Sequence, residues 1–222
     1  MKICYMSDLH LEHSEIFELQ AKAKMEEADV LVLAGDVCPI RKIDSRVYFP
    51  KILEHAKTKY KHILAVAGNH EYYGSSINDT EKLRDFYSEF DVTFLDNESI
   101  ELDGVKFYGG TMWTSMNDDD PDTHAAVENY MNDFCIIKDF STHKAYELHK
   151  AFLANMGEPD VVISHHAPHE YAVDPRFKDA GLANYGYYSD VDIPKSVNTW
   201  IHGHVHWYYK TQLGSGMTLT AN

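Results

Sequence analysis

The sequence predicts an α/β fold with some antiparallel pairing, and three observations carry that reading. Short apolar runs recur along the chain, segments with a 3.6-residue apolar period separate them through the first half, and consecutive strand-like runs fill Val92–Thr111. Lys2–Ser7 is the first strand. A helix over Glu15–Ala28 follows, with Ile16, Leu19 and Ala23 on one face, and then the apolar run Val30–Ala34. Val47, Ile52, Leu53, Ala56 and Tyr60 mark a second helix before the strand Ile63–Ala67. Leu83, Phe86, Tyr87 and Phe90 mark a third over Thr80–Phe90. Val92–Leu95 and Val105–Tyr108 are strands, with a turn at Leu102-Asp103-Gly104. The helix Ser141–Met156 has Ser141 as N-cap, Ala145, Leu148 and Phe152 as its apolar face, and a stop at Gly157 with Pro159 beyond. Val161–Ser164, Val197–Ile201, Tyr208–Leu213 and Met217–Thr220 complete the strands. With no internal repeat, low-complexity tract or Gly/Ser linker, residues 1–222 read as one domain. An irregular insertion at about 114–139, containing Asp118-Asp119-Asp120-Pro121-Asp122, reads as a lid, a substrate loop or a solvated surface loop.

A chain of 222 residues, 44% hydrophobic and 25% charged, has the composition of a globular protein with a sizeable core. No run approaches the roughly 18 apolar residues that a membrane helix needs, and Asp8 interrupts any signal-peptide stretch, so the expected location is the cytoplasm. Cys4, Cys38 and Cys135 are odd in number and widely spaced, which argues against disulfides and against a thiolate zinc site. The 35 acidic and 20 basic residues give a net charge of −15, which repels the backbone of long duplex nucleic acid.

The histidines carry the functional signal. Trp200–Tyr208 reads W-I-H-G-H-V-H-W-Y, with imidazoles at every second position of a strand-like run. A strand would send His202, His204 and His206 to one face unless Gly203 bends the backbone. Five segments share one design, in which an apolar strand ends and residues able to hold a metal follow at once. They are Ser7-Asp8-Leu9-His10, Gly35-Asp36, Gly68-Asn69-His70-Glu71, Ser164-His165-His166 and Gly203-His204-Val205-His206. Ligand crevices of open α/β sheets lie at the carboxyl ends of strands, so the five can meet in one place.

In this order, Asp8-x-His10, Gly35-Asp36, Gly68-Asn69-His70-Glu71, His165 and Gly203-His204-x-His206 resemble the calcineurin-like metallophosphoesterase superfamily over nearly the whole chain. Gly109-Gly110-Thr111-Met112-Trp113 and Ser164-His165-His166-Ala167-Pro168 resemble a subgroup of small single-domain bacterial and phage members. The resemblance implies a four-layer α/β/β/α sandwich of two mixed sheets flanked by helices, with a dinuclear metal centre. It implies that Asp8, His10 and His206 hold one ion, that Asn69, His165 and His204 hold the other, and that Asp36 bridges them. His165 is preferred to His166 because it directly continues the apolar run 161–164, whereas His166 stands behind the ligands or on the rim. His202 precedes the Gly203 bend and reads as a hydrogen-bonded structural histidine.

An all-oxygen and nitrogen donor set suits Mn²⁺ first, with Fe, Zn²⁺, Co²⁺ or Mg²⁺ as alternatives. Two such ions about 3.5–4 Å apart present hydroxide at neutral pH and neutralise the attacking and leaving oxygens of an in-line displacement. His70, directly after a ligand, is then placed to protonate the leaving group. Members of the family often orient this histidine with an acid shortly after Gly-Asp. Here Val37-Cys38-Pro39 follows, which leaves Glu71 and Asp44 as candidates. Tyr72, Tyr73, Tyr185, Tyr187, Tyr188, Trp207 and Tyr208 either stack a base at the site mouth or pack in core and rim. His13, His124, His143 and His149 carry no motif and read as surface or helix residues.

The expected activity is hydrolysis of a phosphomonoester or phosphodiester on a small or nucleotide-like substrate, with no membrane partner and the oligomeric state left open. A nuclease acting on single strands or ends is the alternative enzyme, and a non-catalytic metal-binding scaffold is the alternative of another class.

Overall fold

The computed structural model describes residues 1–12, 15–41, 45–214 and 216–221; His13 and Asp44 lie outside the described residues. The run Val30-Leu31-Val32-Leu33-Ala34 explains the layering. Alternate side chains leave a strand on opposite faces, and both faces here are apolar. Val30, Val32 and Ala34 join Leu64, Val66, Phe107, Val161, Ile163 and Ile201 in one buried cluster, between two sheets. Leu31 and Leu33 point the other way, into a cluster with Ile52, Leu53, Leu83 and Phe86 of the flanking helices.

The first sheet has the order β1 (Ile3–Met6), β2 (Val30–Ala34), β3 (His62–Val66), β4 (Thr93–Phe94), every pair parallel. The second comprises β5 (Glu98–Leu102), β6 (Val105–Gly109), β7 (Val161–Ile163), β8 (Thr199–His202), β9 (Tyr209–Gln212) and β10 (Thr218–Ala221), in the order β5-β6-β7-β8-β10-β9. Its outer pairs β5–β6 and β9–β10 are antiparallel and its inner pairs parallel. The β5–β6 hairpin closes through Asp103 and Gly104, both at positive φ (48° and 81°), as a two-residue turn requires. Outside this sheet Tyr108, Val162, Trp200 and Leu219 pack on Phe152 and Met156 of the helix Thr142–Met156. The helices Glu15–Lys24, Ser45–Ala56 and Thr80–Ser88 cover the first sheet. The layering is therefore α/β/β/α. Among the described residues no helix is long and apolar enough to cross a membrane.

Register matters most for the site. Met6 lies opposite Leu33 and Ala34 opposite Val66, so the segments carrying Asp8, Asp36 and Asn69 leave the first sheet side by side. Ile163 lies opposite Ile201, which levels the exits towards His165 and His204 in the second.

Segment 114–139 is more regular than expected. It contains the helix Pro121–Tyr130, whose N-cap Asp120 accepts hydrogen bonds from Thr123 N (2.8 Å) and Thr123 Oγ1 (2.7 Å), with Pro121 at N1. Its inward face is Thr123, His124 and Val127, too polar for an apolar period to reveal. Ahead of it Met116, Asn117, Asp118 and Asp119 form a left-handed turn, at φ 50°, 52°, 57° and 66°. A second unforeseen stretch, Pro175–Gly186, folds as short 3₁₀ turns broken at Gly181. His149 is buried in the helix Thr142–Met156, and burial pushes its pKa down to about 4.

Candidate metal centre

Five strand exits converge, and the backbone is bent to make them do so. Asp8, His10, Asp36, His204 and His206 all have positive φ, between 44° and 69°. Each such conformation costs a non-glycine residue about 1–2 kcal/mol, a concentration of strain typical of functional sites. The turns are tied to one another: Asp8 N and His10 N donate to the carbonyls of Gly35 and Asp36, each at 3.0 Å, and His204 N donates to Asp8 Oδ1 at 3.0 Å. Two glycines permit the approach. A Cβ on Gly68 would lie 2.1 Å from Asp36 Oδ1, and one on Gly203 would lie 2.7 Å from Ser7 Cβ.

The side chains gather as two groups that share one member. Asp8, His10, Asp36 and His206 offer ligand atoms within 4.8 Å of one another, and so do Asp36, His165 and His204. Asp36 turns Oδ2 to His10 Nε2 (3.9 Å) and Oδ1 to His165 Nε2 (3.4 Å), one oxygen to each group. Asn69 belongs with the second: its Oδ1 lies 3.1 Å from His165 Nε2, while its Nδ2 donates to Asp133 Oδ1 at 2.8 Å. Asp133, buried in the 114–139 segment and also accepting from Tyr73 Oη at 2.7 Å, thereby fixes which end of the amide faces the centre. Sequence reasoning missed it, because nothing local links Asp133 to Asn69. His165 Nδ1 donates to Ala34 O at 2.9 Å, which orients the ring and turns Nε2 towards Asp36 and Asn69.

His202 joins neither group. It is buried, with Nε2 against Tyr209 Oη at 2.5 Å, and burial lowers its pKa to about 4. Two of the three alternating imidazoles thus reach the centre, and the third serves packing. His166 is buried, not on the rim; its ring lies 4.4 Å from that of His204 and 5.1 Å from Trp113.

Of the two acids considered for orienting His70, Asp44 lies outside the described residues and Glu71 is engaged elsewhere. Glu71 does not touch the imidazole. It is fully buried and its carboxylate accepts from the amides of Gly68 (2.7 Å), Asp36 (2.9 Å), Val37 (2.7 Å) and Cys38 (3.2 Å), locking two exit loops together. The group beside His70 is Glu12, whose Oε1 lies 3.4 Å from His70 Nδ1 and 3.5 Å from His10 Nδ1. Burial alone would raise the Glu12 pKa, but hydrogen bonds from the two imidazoles override it and bring it to about 2. Its signal in the sequence was its place two residues after His10, in the same strand exit. Tyr73 stacks on His70, with centroids 4.1 Å apart and planes at 22°.

The electrostatics favour cations. Burial would raise Asp36, yet His165 and its hydrogen bond, with His70 and His10, hold it well below the usual carboxylate range. His165 is likewise lowered by burial and, against that, raised by Asp36, ending at about 10. The protein's own atoms provide a test of metal fit. His204 Nε2 is buried with no hydrogen-bond partner among the described residues. His10 Nε2 and His206 Nε2 face each other at 3.3 Å, with Asp8 Oδ1 3.2 Å from the latter. A buried imidazole nitrogen without a partner, beside ligand atoms that are all nitrogen or oxygen, fits borderline divalent ions.

A cavity of about 470 Å³ opens over the centre. Asp36, Asn69, His70, His204 and His206 form its floor; Tyr73, Tyr130, Met131, Phe177, Tyr187 and Arg176 form its walls. Of the aromatics considered from sequence, Tyr73 and Tyr187 line this space, whereas Tyr72 is core and Trp207 Nε1 donates to Ala172 O.

Comparison with known proteins agrees with this fold. An uncharacterised protein of Acanthamoeba polyphaga mimivirus is 26% identical over 259 residues, covering 98% of this chain and 89% of that protein. A crystal structure of phosphopantetheinyl hydrolase from Mycobacterium tuberculosis superposes with a TM-score of 0.76 at 15% identity, over 99% of this chain and 88% of that one. A dimetal phosphatase from Danio rerio gives 0.50 at 14% identity, over 100% and 86%. The model of the calcineurin-like phosphoesterase family matches residues 1–208, and the chain belongs to that family.

Proposed function

We propose that this protein is a phosphoesterase that works with two divalent ions, Mn²⁺ foremost, on a small or nucleotide-like phosphomonoester or phosphodiester. The observation that carries the reading is Asp36, whose two oxygens face two separate donor groups. Asp8, His10 and His206 would hold one ion, Asn69, His165 and His204 the other, and Asp36 both. When bound, such a pair supplies Lewis acidity for the phosphoryl oxygens and activates water as nucleophile.

The remaining chemistry belongs to the chain. His70 lines the cavity beside the donors, and burial, which lowers its pKa, is outweighed by Glu12 and Asp36, which raise it. That direction favours the protonated ring, and we assign it protonation of the leaving oxygen. Glu12 holds Nδ1 of that ring and Tyr73 supports its face, so that the proton on the opposite nitrogen is aimed. The cavity is the size of a small-molecule site, and its aromatic and apolar wall suits the organic part of a small ester. The −15 net charge disfavours a long polyanion. The names of the two structural neighbours, a phosphopantetheinyl hydrolase and a dimetal phosphatase, are in keeping with this substrate class.

The test is turnover of paired chromogenic mono- and diesters by metal-depleted protein titrated with Mn²⁺, Zn²⁺, Fe²⁺ or Mg²⁺. Mn²⁺ is expected to restore activity, and Asp36→Asn to lower it by about 10³-fold. No turnover with any ion would leave the scaffold reading; activity confined to single-stranded oligonucleotides and falling steeply with salt would favour the nuclease.

A further inference from the structure

We infer that Asp119, His124 and His143 form a second, structural site for a borderline divalent transition metal ion, sharing no residue with the centre at the strand exits. The three offer ligand atoms within 4.8 Å of one another. They come from three elements: the left-handed turn 116–119, the start of the helix Pro121–Tyr130 and the start of the helix Thr142–Met156.

His124 is the anchor. It is 6% exposed, its Nε2 lies 2.9 Å from Asp119 Oδ1, and its Nδ1 is buried with no hydrogen-bond partner among the described residues. A buried polar atom of that kind is unfavourable unless something satisfies it. His143 lies face to face with it, centroids 4.3 Å apart and planes at 21°, so two imidazoles and a carboxylate converge. A packed imidazole normally turns its polar edge to a carbonyl or hydroxyl; this one turns Nε2 to an acid and its face to a second imidazole. Asp119 and His143 are exposed, so the opening admits an ion and a water as fourth ligand.

Two imidazoles and one carboxylate are the donor set of Zn²⁺, Ni²⁺ or Cu²⁺ rather than of Mg²⁺ or Ca²⁺. Bonds of about 2.0–2.2 Å space tetrahedral donors roughly 3.3 Å apart, within reach of side-chain rotations here. Such an ion would staple the start of the helix 121–130, whose far end carries the cavity-wall residue Tyr130, to the helix 142–156.

The probe is Zn²⁺ alone. Wild-type protein, His143→Ala, Asp119→Asn and Asp36→Asn are dialysed against Zn²⁺, gel-filtered and assayed for zinc per chain and for thermal midpoint. His143→Ala, at an exposed position, is expected to carry one zinc fewer than wild type, to lose part of the zinc-dependent rise in midpoint, and to keep wild-type turnover. Asp36→Asn is expected to keep the zinc that His143→Ala lacks, which separates this site from the proposed catalytic one. Equal zinc content and equal thermal response in wild type, His143→Ala and Asp119→Asn would overturn the inference.

Discussion

The floor and the wall of the cavity are built by opposite means. The floor comes from strand exits: every donor sits within four residues of the end of a buried strand, and the turns are cross-tied by backbone and Glu71 hydrogen bonds. The wall comes from the helix 121–130 and the broken turns of 175–186. There Tyr130 and Phe177 are 51% and 54% exposed, and Arg176 pairs with its neighbour Asp174. The difference teaches where rigidity is concentrated. The floor holds donors to the geometry that chemistry demands, while the wall has room to accommodate whatever the ester carries.

This contrast can be broken or sharpened by substitution. The largest effect is expected at His70, which lines the cavity and is assigned above to the leaving oxygen and not to the ions. His70→Ala should lower kcat by about 10²–10⁴-fold while metal content per chain stays at the wild-type value; loss of both ions would move His70 into the ligand set. Next comes Glu12→Gln, which keeps the shape beside His70 and His10 but removes the charge. A fall of about 10–100-fold in activity or metal affinity, typical of residues that orient a ligand or acid, is expected, and an unchanged enzyme would return the orienting role to another group. Smallest is the wall. Phe177→Ala should change KM by only a few-fold, since it removes exposed apolar contact equally from ground and transition states, with kcat unchanged on a minimal ester. A drop in kcat equal to that of Glu12→Gln would erase the distinction between floor and wall.

The same division governs what could be read from the sequence. Strand exits announce themselves locally: an apolar run, then Asp-x-His, Gly-Asp, Gly-Asn-His or Gly-His-x-His. The fold gathers Asp8, His10, Asp36, His165, His204 and His206 into two adjoining groups and sets Asn69 beside His165. The N-cap Ser141 was legible too, its Oγ accepting from Lys144 N at 3.2 Å. Illegible were the contacts made at long range in sequence. Asp133 reaches Asn69 across 64 positions, and Glu12 reaches His70 across 58. Glu71 misled for the converse reason: adjacency to His70 in sequence suggested a partner, but neighbouring residues on a tight turn point apart, and its carboxylate is spent on backbone amides. The helix 121–130 escaped notice because its buried side holds Thr123 and His124 beside Val127.

Glu71 has one more consequence. Amides of residues 36, 37, 38 and 68 converge on its carboxylate, so the chain itself fixes the two loops. A side chain outside both donor groups thus holds the backbone that carries them.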